Sequence, residues 1–84
     1  MRNTTVVSHL MLAARDADTR SMHMSLDNDW DIGWYRQSPG EYLITLIDDK
    51  YEEVDFDHVD AGFIAMYDAV MRMMRKHKLI DEEK

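Results

Sequence analysis

SMHMSLDNDWDIGWYR, residues 21–36, is the stretch on which the fold turns, because its apolar residues recur every second position. Met22, Met24 and Leu26 alternate with Ser21, His23 and Ser25, and Trp30, Ile32 and Trp34 alternate with Asp31, Gly33 and Tyr35. That period places successive side chains on opposite faces of an extended chain, as in a half-buried strand. Between the two runs, DNDWDIG (27–33) offers carboxylates at alternate positions and invites comparison with a calcium loop. An EF-hand loop requires glycine at its sixth position and a bidentate glutamate at its twelfth. Counted from Asp27, those positions hold Ile32 and Ser38, so the segment reads as a polar hairpin turn with Asp31 on the exposed face of the second strand. A weak cation site at Asp27, Asp29 and Asp31 is the rival reading.

Downstream, Ser38-Pro39-Gly40-Glu41 has the form of a type II turn. Proline presets φ at the second position, and glycine accepts the positive φ of the third. YLITLI (42–47) is apolar on both faces apart from Thr45, the pattern of a strand with neighbours on either side or cover on both faces. DDK (48–50) is a second turn, and YEEVDF (51–56) reads as a fourth strand that shows Val54 and Phe56 to one side. Trp30, Ile32 and Trp34 are expected beneath a helix, and Tyr35 on the other face.

The flanks change to a period of 3.6. In TTVVSHLMLAARDA, Val6, Val7, Leu10, Ala13 and Ala14 share a helical face, with Asn3 or Thr4 as N-cap. From Val59 to His77 a stripe of Val59, Phe63, Met66, Tyr67, Val70, Met73 and Met74 opposes Asp68, Arg72 and Lys76. Asp57 and Asp60 are expected to cap the start of this helix. Arg72, Arg75, Lys76 and Lys78 crowd its end, which suits the helix dipole. The expectation is one α+β domain over residues 1–84: an N-terminal helix, a three- to four-stranded antiparallel meander, and a long C-terminal amphipathic helix packed on one face. Residues 80–84 are expected to fray. The element order is similar to that of the double-stranded-RNA-binding domain. Where that family places phosphate-binding lysines, this chain reads DHVDAG (57–62), so the likeness is one of topology alone.

Composition narrows the function. A chain of 84 residues buries only about 60–65% of its unfolded surface, which favours an open binding face over a walled active site. Cysteine is absent, which excludes disulfides and thiolate metal sites and suits a reducing compartment. No signal-like segment and no run of about 18 apolar residues is present, so a cytoplasmic, soluble protein without a membrane partner is expected. The four histidines form no short-spaced ligand pair, and no nucleophile elbow or glycine-rich phosphate loop occurs. No enzyme activity, metal or cofactor is therefore expected. Of the eight methionines, Met66, Met71, Met73 and Met74 on the last helix read first as core and second as an adaptable groove.

The charge is the most informative feature. Residues 41–60 carry Lys50 against eight carboxylates, a net −7 that equals the charge of the whole chain. A field of that sign repels nucleic acid and attracts basic protein surfaces. Asp48, Asp49, Glu52, Glu53, Asp55, Asp57 and Asp60 are the expected partner-binding residues, with Tyr51 and Tyr35 as apolar anchors. Strung along a turn and an edge, carboxylates can imitate the phosphates of a duplex, the strategy of the small acidic inhibitors made by phages and mobile elements. The expected function is thus a non-catalytic module that occupies a basic, nucleic-acid-binding surface of another protein. The alternative is a self-associating structural or regulatory subunit, a homodimer formed through the Met-rich helix or an open sheet edge.

Overall fold

The computed structural model describes residues 3–16, 19–60 and 62–80. Helix α1 (Asn3–Arg15) leads into strands β1 (Ser21–Ser25), β2 (Asp31–Ser38), β3 (Glu41–Ile47) and β4 (Glu53–Val59), and helix α2 (Phe63–Lys76) closes the chain. The strands pair antiparallel in sequence order, so the sheet is a four-stranded meander. Both helices lie on one face of it, and the fold is α+β. The alternation in residues 21–36 becomes the β1–β2 hairpin, with Met22 opposite Trp34 and Met24 opposite Ile32.

Each connection has a local cause. In the β1–β2 turn the Asn28 side chain accepts the Trp30 N–H at 3.1 Å, and Asp29 takes a φ of 68°. Asparagine and aspartate tolerate such turns because their short side chains bond nearby backbone. Asn3 staples this turn to the helices: its carbonyl oxygen accepts the Asp27 N–H at 2.9 Å, and its amide donates to the Leu79 carbonyl. Gly40 supplies a φ of 79° to the β2–β3 turn. In the β3–β4 turn, one Asp48 carboxylate oxygen accepts the N–H groups of Lys50 and Glu52 at 2.9 and 3.0 Å. That bracing holds Tyr51 at a φ of 64°.

The core lies between the sheet and the helices. Ile32, Trp34, Ile44 and Leu46 meet Val6, Val7 and Leu10 of α1 and Met66, Val70 and Met74 of α2, all buried. Burying side chains of this size contributes about 1.5–3 kcal/mol each before entropy is counted. Trp34 donates its indole N–H to the Leu10 carbonyl at 3.2 Å and meets Tyr42 edge to face. Arg36, also on the inner face, donates to the Ala14 carbonyl at 2.7 Å and to that of Asp16 at 3.4 Å. A cation at these last carbonyls caps α1 at the negative end of its dipole.

The second helix departs from the expectation at its start. Val59 belongs to β4, opposite Tyr42, and α2 begins at Phe63. Neither Asp57 nor Asp60 caps it: the N-cap is Gly62, with a φ of 94° and no side-chain hydrogen bond. Pairing with β3 keeps Asp57 to Val59 extended, and Gly62 turns the chain, donating its N–H to the Gly40 carbonyl at 3.2 Å. Tyr67, expected on the apolar stripe, is exposed, and Ala69 is buried in the core instead. Of the expected frayed tail, residues 81–84 lie outside the described residues. Among the described residues no helix is long and apolar enough to cross a membrane.

Candidate protein-docking site

Antiparallel register sorts the sheet into two faces. The rows Tyr42–Val59, Ile44–Asp57 and Leu46–Asp55 point toward the helices. The rows Tyr35–Leu43–His58 and Gly33–Thr45–Phe56 point away from them. In β4, therefore, the carboxylates of Asp55 and Asp57 face inward while Val54, Phe56 and His58 face out. Inward-pointing charges on an edge strand oppose edge-to-edge pairing with another sheet.

The inward acids meet the cationic end of α2. Asp55 accepts from His77 Nε2 at 2.9 Å and lies 3.3 Å from Lys76 Nζ. Its second oxygen accepts the Phe56 N–H at 2.9 Å, which occupies a donor on the outer edge of β4. The His77 hydrogen bond holds the Asp55 carboxyl below its usual range, burial opposes this, and the Phe56 N–H and Lys76 add to the lowering. Asp57 pairs with Arg72 at 3.3 Å. A cleft of about 300 Å³ between β4 and α2 is lined by these paired charges with Phe56, Ala69 and Met73. His77 also packs against Trp30, ring centroids 6.1 Å apart.

The structure therefore distributes the seven carboxylates over three places. Asp48, Asp49, Glu52 and Glu53 gather at the β3–β4 end of the sheet, with no ion pair among the described residues. Asp55 and Asp57 are committed to α2. Asp60 lies beyond the far end of β4, one strand length from the turn. Tyr51, 87% exposed, stands at the tip of the acidic turn, and Tyr35 is exposed at the centre of the outward face.

The outward face was not singled out by composition or charge, yet it is the largest uncovered apolar surface the strands present. Tyr35, Val54 and Phe56 are exposed on it, and Leu43 and Ile47 are half-buried. The signal was present in YLITLI: an apolar strand on both faces asks for cover on both, and the described helices cover one. His23 and Asp31 border this face, 4.0 Å apart, and His58 meets Phe56 edge to face. Asp27 and Asp29 lie in the turn and Asp31 opens β2, and among the described residues no three His, Asp or Glu side chains converge on a metal position.

Comparison with known proteins leaves the site to be read from its own geometry: no family model matches the chain, and no curated protein or solved structure does.

Proposed function

We propose that this protein is a non-catalytic binding module that docks a basic surface of another protein. One observation carries the reading. Four carboxylates, Asp48, Asp49, Glu52 and Glu53, share the β3–β4 turn region with Lys50 as the one cation of the turn and form no ion pair among the described residues, whereas the neighbouring Asp55 and Asp57 are paired with the end of α2. Uncompensated charge at one end of a small domain raises its electrostatic energy when alone and lowers it against a cationic partner. Such charge chiefly steers encounter, and apolar contact holds the complex. Tyr51 and Tyr35 provide exposed aromatic surface near and on the adjoining face. Partners of suitable chemistry are the lysine- and arginine-rich grooves with which proteins bind nucleic acid, which the module would block by occupancy.

The test compares the chain with its Asp49→Lys/Glu52→Lys/Glu53→Lys variant as bait in the host extract. Asp48 is left in place because its carboxylate braces the turn. The reading expects a basic protein retained by the first bait and lost from the second, with binding that weakens as salt shortens the screening length from about 10 Å at 0.1 M. Retention by both baits, insensitive to salt, rejects it.

A further inference from the structure

We infer that the outward face of the sheet is the docking surface itself, and that its occupant is a helix of the partner protein, apolar along one side and lysine- or arginine-bearing at one end. This inference rests on the acidic-turn reading and adds the surface and the shape of the ligand. Three features of the face select that occupant.

Composition comes first. The face offers Tyr35, Leu43, Ile47, Val54 and Phe56 from three adjacent strands, with Thr45 between them. A contiguous apolar patch of this kind marks an interaction site on a small soluble domain. Charge comes second. None of the described lysines and arginines occupies a strand row of this face: they belong to the helices and their ends, to Arg20 before β1, to the inward Arg36, and to Lys50 in the turn. Asp31, Glu53 and the turn carboxylates form its border at the β3–β4 end. A second copy laid on this face would bring uncompensated carboxylates toward an apolar surface holding no lysine or arginine, and desolvating them there is costly. A basic ligand end resolves that cost.

Shape comes third. A Cβ added at Gly33 would lie 2.8 Å from the Met22 carbonyl oxygen and 2.9 Å from His23 Cβ. The Gly33 position points outward, β1 lies close against it, and the face carries no side chain there. A helix on this side completes a three-layer arrangement with the two helices already on the other. The strands of seven or eight residues span about 23–27 Å, the length of a helix of about 16–18 residues.

The probe is a synthetic helical peptide of about 16–18 residues, leucines at every third and fourth position and lysines at one end. Its control is a scrambled peptide of the same composition. Binding is followed by amide chemical shifts of the full chain and by titration calorimetry. The expected result is shifts centred on Gly33, Tyr35, Thr45, Ile47 and Phe56. Phe56→Ser and Tyr35→Ser should each weaken binding roughly tenfold. Both residues are solvent-exposed, and far-UV circular dichroism confirms that each variant is folded. Shifts confined to residues 48–53, with affinity unchanged in Phe56→Ser, overturn the docking face and leave the acidic-turn reading standing. Equal affinity for the scrambled peptide, shifts on the helical layer, or no binding at millimolar peptide also overturn it. So does a dimer in which the same amides are protected without peptide, since the face then belongs to a second copy. If instead Phe56→Ser weakens binding and Asp49→Lys/Glu52→Lys/Glu53→Lys does not, the docking face stands and the acidic-turn reading falls.

Discussion

Replacing Asp55 by asparagine tests how the edge of the sheet is held against α2. Asparagine keeps the shape and can still accept the Phe56 N–H, but it loses the charge that His77 and Lys76 share. The Asp55 and His77 side chains are 20% and 19% exposed, so their contact is a partly buried, charge-assisted hydrogen bond. Such a bond contributes about 1.5–2 kcal/mol. Lys76 is 68% exposed and adds at most ~0.5 kcal/mol. The expected loss is therefore about 2 kcal/mol near neutral pH, and in a domain of this size roughly 8–16 °C in melting temperature. The pH dependence follows from linkage. The folded Asp55 carboxyl lies below its unfolded value of 3.8, so the unfolded chain binds its proton first as pH falls. Its stabilisation is complete above that value and disappears as pH drops through the lowered folded one. Urea titrations of both proteins from about pH 6 down to about pH 2.5 should show the gap closing in the acid range. A gap below ~0.5 kcal/mol at pH 6, or one that persists unchanged at the acid end, would refute the assigned hydrogen bond.

The remaining predictions concern positions where the backbone is under constraint. Gly33→Ala places a methyl group against the Met22 carbonyl and His23 Cβ, and should cost about 1–3 kcal/mol by urea denaturation; a neutral result would show that β1 does not lie close against Gly33. Arg36→Met removes the donor to the Ala14 and Asp16 carbonyls. It should cost about 1–2 kcal/mol and speed hydrogen exchange in the last turn of α1 selectively; uniform exchange would contradict a capping role. Asp48→Ala withdraws two hydrogen bonds from a turn in which Tyr51 has positive φ, for an expected loss of about 1 kcal/mol. Stability equal to that of the parent chain would mean that the turn holds itself.

The sites differ in how far their residues announced them. The acidic window was plain from counting, because formal charge is additive along the chain. Its division was hidden. Whether Asp55 points with Glu53 or against Leu46 depends on the irregularity between Leu46 and Ile47, where Glu53 and Asp55 pair with adjacent residues of β3. The side chains that meet Asp55 and Asp57 come from 15 to 22 positions further on. Val54 and Phe56, apolar and alternating, would suit a core face; register turns them outward and places the acids within reach of α2.

Local chemistry alone determined the element order, the turn at Asp27–Asp29, the glycine at the β2–β3 turn and the two amphipathic helices. Each of these is set by side-chain period or by φ within a few neighbouring residues. The helical boundary at Gly62, the partners of Asp55 and Asp57, the close approach of β1 to Gly33 and the bare outward face were decided by tertiary structure. They depend on which strand pairs with which, in what register, and on which face the helices then close. Those choices are made by contacts between residues far apart in the chain, so no short window of residues contains them.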